Sequence, residues 1–237
     1  MAITGWAVAI VALGGAVAMG SLLAQRLRIE SDLRTDPLQL DRLAPISEGL
    51  DGPVLLLTGD SRAAHLGTPS FPGWTVVNRG IPGQTTDQIA ARFARDLLLL
   101  QPDHVVLIAG INDLKSGDAS ERVASATNSI VEMMRMSDAA EVPLEIAEIW
   151  GRGDVLSARS LLFPSDLSSR IEEVNAGIHA AATVHGANTF PVKELLTPDG
   201  LIARSWAKDD LHLNDQGNQR LASIIASHLP PPETEDD

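Results

Sequence analysis

Apolar positions along this chain follow two alternating patterns. Short solid runs, such as Val54-Leu55-Leu56-Leu57, give way to longer stretches in which apolar residues recur every three or four positions. The run over residues 53–58 is preceded by Gly52 and ends at Gly59-Asp60-Ser61, as expected of a strand buried on both faces. Further strands are expected over 74–78, 104–109 and 144–149, and a more weakly patterned one over 188–192. Residues 85–100 have helical spacing, with Ile89, Phe93, Leu97 and Leu100 on one face. Helices are also expected over 120–137, 165–185 and 214–228, the last with Asn214 as its N-cap. Strand and helix in alternation imply parallel pairing with helices on both faces. The predicted fold is a three-layer α/β/α domain with a parallel, roughly five-stranded sheet.

The start of the chain breaks this alternation. Residues 2–24 carry no charge and are rich in Ala, Val, Gly, Leu and Ile. At about 1.5 Å per residue, such a helix is long enough for a hydrocarbon core of roughly 30 Å. We read it as an uncleaved membrane anchor, with Gly14, Gly15, Ala18 and Gly20 permitting close helix packing. The alternative is a secretory signal cleaved at Ala16-Val17-Ala18, although no basic residue precedes the run and it is long for a signal core. Arg26 and Arg28 follow at once and by themselves favour a cytoplasmic domain. Residues 25–50, interrupted by Pro37, Pro45 and Gly49, are expected to form a juxtamembrane linker with one short helix near 33–43. The compact domain is expected over 51–229, and 230–237 as a disordered acidic tail.

Composition narrows the chemistry. A hydrophobic content of 44% supports a core without staples, and the absence of cysteine excludes disulfides and thiolate metal sites. A net charge of -13 argues against a nucleic-acid partner, which would need a basic surface. No histidine pair has metal-ligand spacing, and no glycine-rich loop matches a phosphate or dinucleotide fingerprint, so neither metal nor cofactor is expected.

What remains is a set of polar blocks, three at strand ends and one before the last helix. They are Gly59-Asp60-Ser61, the loop from Asn78 through Gly80 and Gly83 to Thr85, Gly110-Ile111-Asn112-Asp113, and Asp209-Asp210-Leu211-His212-Leu213-Asn214. Ligands of open parallel sheets bind beyond the carboxyl ends of the strands. Ser61 would stand there at the first turn of a helix, whose dipole favours negative charge on its oxygen. Asp60 and Asp113 are expected to tie down loops, and His65, His104, His179, His185 and His228 to lie at the surface.

These four blocks, in this order from about Leu55 to Asn214, resemble those of the SGNH hydrolases, also called GDSL esterases or lipases. The resemblance implies a flavodoxin-like sheet and a serine mechanism. It assigns Ser61 as nucleophile, His212 as general base and Asp209 as the group that orients the imidazole. It assigns the amides of Ser61 and Gly83 and the side chain of Asn112 to the oxyanion hole, with Gly80 as a rival to Gly83. The chemistry agrees: a serine hydroxyl needs a base in a fixed tautomer, and a tetrahedral intermediate needs preorganised donors. Arg62 departs from the leucine more common after the nucleophile. The nucleophile elbow of α/β-hydrolases is a near match, but Ala63 stands where the elbow has glycine.

The function expected is a membrane-anchored serine esterase acting on an acyl or acetyl ester, with carbohydrate esters preferred. Arg62, Arg79, Trp150 and Trp206 are the expected substrate contacts. Alternatives are a lipid esterase, lysophospholipase or thioesterase, an O-acyltransferase to a polysaccharide, and a non-catalytic module binding an acylated polymer or a membrane partner. Exported relatives with an apolar N-terminal segment place the domain outside the cytoplasm, against the two arginines.

Overall fold

The computed structural model describes residues 40, 50–115, 117–155 and 162–232. The chain divides into two compact units, Met1–Arg42 and Leu43–Asp237. The expected anchor, nearly all of the linker and residues 233–237 of the tail lie outside the described residues. No helix among the described residues is long and apolar enough to cross a membrane.

The second unit is built on a five-stranded parallel sheet: β1 (Val54–Gly59), β2 (Thr75–Gly80), β3 (His104–Ile108), β4 (Leu144–Ala147) and β5 (Asn188–Phe190), in the order β2-β1-β3-β4-β5. The helices are α1 (Ser61–Leu66), α2 (Thr86–Leu100), α3 (Ile111–Leu114), α4 (Ala119–Ala139), α5 (Leu167–His185) and α6 (Asp215–His228). This is the three-layer α/β/α arrangement expected.

Period-two alternation divides the strand side chains between two cores. Leu56, Val105, Leu107, Leu144 and Ile146 pack with Phe93 of α2, Met133 and Met134 of α4, and Val174 and Ile178 of α5. Leu55, Leu57, Val106 and Ile108 pack with Ala63 of α1, Phe190, and Leu221, Ile224 and Ile225 of α6. Burial on both sides explains why β1 and β3 are solid apolar runs. β2, an edge strand, is mostly half-buried and more polar.

Some boundaries differ from expectation. β2 continues through Arg79 and Gly80, which pair with Thr58 and Gly59 of β1. β5 ends at Phe190, and the chain turns through a 3-10 helix, Lys193–Leu195, because Pro191 cannot donate to the ladder. α2 opens with a capping box between Thr85 and Gln88, and Asn214 caps α6 by accepting from the amide of Gly217. The connection from β1 goes out to β2 on one side and returns to β3 on the other. The switch point therefore lies between the carboxyl ends of β1 and β3.

Candidate active site

Ser61 and Asn112 follow the two strands that flank the switch point. Gly59 closes β1 at φ +146°, and the next amide, that of Asp60, donates to the carbonyl of Ile108 on β3 at 3.1 Å. Asp60 then N-caps α1, its Oδ1 accepting from the amide of Arg62 at 2.8 Å. Burial raises the pKa of this carboxyl, against the opposing charges of Arg62, His212 and Lys115. Ser61 is the first helical residue, and its amide has no acceptor among the described residues.

The loop ahead of α6 brings in the remaining partners. His212 Nε2 is 2.9 Å from the Ser61 hydroxyl oxygen, and Nδ1 is 2.9 Å from Asp209 Oδ2. Asp209 Oδ1 also accepts from the amides of Leu211 and His212, at 2.8 and 2.9 Å. Burial acts to raise the Asp209 pKa. The hydrogen bonds from the His212 ring and the two amides outweigh it and hold the carboxyl down at about 2. An ionised Asp209 favours the tautomer with hydrogen on Nδ1, leaving Nε2 to accept a proton from Ser61.

On the other side of Ser61 are the loops after β2 and β3. The amide of Gly80 donates to Asn78 Oδ1 at 2.8 Å, and a Cβ there would lie 2.3 Å from the backbone nitrogen of Ala64. Gly80 is thus occupied in packing β2 against α1. Gly83, at φ +87°, has nothing within 4 Å of where a Cβ would be, and its amide has no acceptor among the described residues. Asn112 is buried in α3; its Nδ2 donates to the carbonyl of Gln84 at 2.8 Å and its Oδ1 accepts from Lys115 Nζ at 2.7 Å. A hydroxyl beside an oriented imidazole, with uncommitted amides nearby, is an arrangement able to carry out acyl transfer.

Residues 57–220 match the model of the GDSL-like Lipase/Acylhydrolase family. The chain belongs to that family. It is therefore a GDSL-type ester hydrolase. Among solved structures, a GDSL-like lipase from Bacteroides thetaiotaomicron is 21% identical, with a TM-score of 0.62 over 77% of this chain and 91% of that one. A carbohydrate acetylesterase from Sinorhizobium meliloti is 16% identical, with a TM-score of 0.58 over 74% of this chain and 97% of the other. An acetyl xylan esterase is also 16% identical, with a TM-score of 0.59 over 75% and 99%. These likenesses establish a shared fold. No curated protein matches the chain by sequence.

Three of the four expected substrate contacts of this GDSL-family protein lie in its interior, which corrects that expectation. Arg62 is buried: Nε donates to the carbonyl of Leu211 at 3.2 Å, Nη1 to Trp150 at 2.8 Å and Nη2 to Gly151 at 2.8 Å. Its guanidinium carbon sits 4.3 Å from the centre of the Trp150 ring, and burial pulls its pKa down to about 10. Trp150 is 2% exposed. Arg79 is buried against Asp96, which also holds Arg92. Trp206 is half-buried against the second core, and its carbonyl accepts from the amide of Asn214.

Two supports escaped the sequence reading. Arg92 is fully buried and donates to Gln84 Oε1 at 2.9 Å and to the carbonyl of Gly59 at 3.3 Å, joining the loops on either side of Ser61. The signal was an Arg92–Asp96 pair four residues apart beside Ile89 and Phe93 on the inward face of α2. His65 is exposed, as expected, and its ring meets the His212 ring edge-on, with centroids 4.7 Å apart. It stands four residues after Ser61 on α1, one turn along the same face. His104, also expected at the surface, is instead buried on β3, and burial lowers its pKa. Among the described residues no cluster of three or more His, Cys, Asp or Glu is suited to a metal ion.

Proposed function

We propose that this GDSL-type hydrolase removes acetyl or other short acyl groups from a carbohydrate through an acyl-enzyme on Ser61. The hydrogen-bonded series Ser61, His212, Asp209 is the observation that carries the reading. His212 Nε2 takes the Ser61 proton as Oγ attacks the ester carbonyl. The tetrahedral oxyanion is met by the amides of Ser61 and Gly83 and by Asn112, donors whose individual loss typically lowers turnover by about 10²–10³. The imidazolium gives its proton to the departing alkoxide and leaves the acyl group on Ser61. His212 then deprotonates a water that attacks the acyl-enzyme, and the acid departs as Ser61 regains its proton. Asp209 stabilises the imidazolium throughout.

A carbohydrate as the alcohol half is favoured by two structural neighbours whose names denote sugar-ester chemistry, a carbohydrate acetylesterase and an acetyl xylan esterase. We also propose that residues 2–24 anchor the domain to a membrane and hold it outside the cytoplasm, where acylated surface polymers lie; the uncharged apolar run supports the anchor.

The test is hydrolysis of aryl acetate, longer aryl esters and an acetylated polysaccharide, with a serine-directed fluorophosphonate as label. The expected result is acetyl preference, labelling at Ser61 alone, and loss of both activity and label in Ser61→Ala. Labelling elsewhere, or full activity of the alanine variant, refutes the mechanism. A preference for long acyl chains refutes the carbohydrate assignment.

A further inference from the structure

Asn112 can supply an oxyanion-hole donor only if its carboxamide is turned the right way. Rotation by 180° exchanges the oxygen and the NH2 group with little change in shape. Two contacts decide between the orientations: the Lys115 ammonium 2.7 Å from Oδ1, and the Gln84 carbonyl 2.8 Å from Nδ2. In the reversed amide, NH2 would face an ammonium and the oxygen would face a carbonyl, both repulsive. An ammonium donates only, so Lys115 tolerates one orientation.

Those contacts use the amide oxygen and one of its two hydrogens. The second Nδ2 hydrogen has no acceptor among the described residues. A charge-assisted bond to Oδ1 also draws electron density from the nitrogen and makes the remaining N–H a stronger donor. Lys115 stands three residues after Asn112, at the end of the single turn of α3, so the fold brings the two together locally.

We infer that Lys115 is a positioning residue for the oxyanion hole, holding the Asn112 carboxamide in its donating orientation and strengthening that donor as negative charge develops. The inference rests on the role given to Asn112 above. Its effect belongs to the transition state, so it should act on kcat and leave ground-state binding of the ester unchanged.

The experiment is a double-mutant cycle read on an aryl acetate, with a boronic acid as the tetrahedral mimic. Lys115→Met keeps the length of the side chain and removes the donor. It should lower kcat about tenfold, the size of one net hydrogen bond, with KM unchanged. Boronate affinity should fall by the same factor. Lys115→Arg should restore most of the loss. In the Asn112→Ala background, Lys115→Met should add nothing. An unchanged kcat, a change confined to KM, or an equal loss with and without Asn112 overturns the inference. A wild-type protein that hydrolyses no ester and is not labelled at Ser61 instead sinks the reading of the site. Melting curves of each variant separate loss of fold from loss of donor.

Discussion

Gly59 passes so close to Ile108 that a Cβ on it would lie 1.9 Å from the Ile108 carbonyl oxygen and 2.7 Å from its carbonyl carbon. These are backbone atoms of the neighbouring strand, so they cannot swing aside. The same oxygen accepts the Asp60 amide that sets the start of α1 and hence Ser61. Gly59→Ala should therefore force β1 and β3 apart and cost several kcal/mol, about 3 or more, well beyond a surface substitution. Any folded fraction should be poorly active. Gly83→Ala is the control: it meets nothing within 4 Å and carries only left-handed strain, about 1–2 kcal/mol. Urea titration of both variants checks the contrast, and equal stabilities would refute it.

Arg62 makes a second prediction. Three carbonyls from two loops converge on its guanidinium, one of them belonging to Leu211, next to His212. Arg62→Met strands these acceptors, and at about 1–3 kcal/mol for each buried group the loss should reach about 3 kcal/mol. Arg62→Lys should recover only part, because a single ammonium cannot fork to three oxygens. Turnover should fall with stability as the His212 loop loosens. An undiminished urea midpoint with a raised KM would return Arg62 to the role of substrate contact.

What could be read in advance follows from what each residue faces. β1 and β3 announce themselves because burial on both faces demands unbroken apolar runs. The positions of Ser61, Asn112 and His212 were legible because each lies in a short polar block at a strand end or helix start. Arg62, Arg79 and Trp150 were misjudged because nearness in sequence to a catalytic block says nothing about side-chain direction. Arg62, one residue past Ser61, lies about 100° around the helix and is directed inward. His65 is at the surface as expected, while its contact with His212 went unread although its spacing of four from Ser61 gave the signal. Spacing from Asn78 favours Gly83 over Gly80, and the physical reason, that Asn78 holds the Gly80 amide, is visible only in the fold.

Asp113 predicts a pH dependence of stability. Its carboxylate accepts from the Thr86 amide at 3.1 Å and from Oγ1 at 2.8 Å. Burial outweighs these bonds and raises its pKa to about 6. A carboxyl with a raised folded-state pKa binds more protons folded than unfolded, so its contribution falls as pH rises from about 4 to about 6, then levels off. Asp113→Asn cannot ionise. Its stability relative to wild type should improve between pH 4 and pH 7, by at most about 3 kcal/mol for a shift of about two units. Urea midpoints of the pair at pH 4.5 and 7.5 measure this. A difference that does not change with pH would mean that Asp113 ionises as readily folded as unfolded.

The proposed anchor gives the last prediction. Residues 2–24 contain no group that must be solvated by water, and as a helix they would satisfy every internal backbone donor and acceptor in lipid. Among the described residues the second unit has two cores of its own, which include Leu55, Leu56, Val105, Val106, Met133 and Leu221. A chain starting at Leu43, the first residue of the second compact unit, should then fold, stay soluble and hydrolyse a small ester at the full-length rate. The full-length protein should remain with membranes after a carbonate wash. Replacing Val11 and Leu13 with arginine should release it, since charge at mid-span costs about 2.5–3.5 kcal/mol per residue. Protease added to cells with a permeabilised outer envelope should digest the domain if it lies outside the cytoplasm. Protection until lysis would place it inside, in agreement with Arg26 and Arg28. A full-length protein that washes off the membrane would remove the anchor while leaving the chemistry at Ser61 untouched.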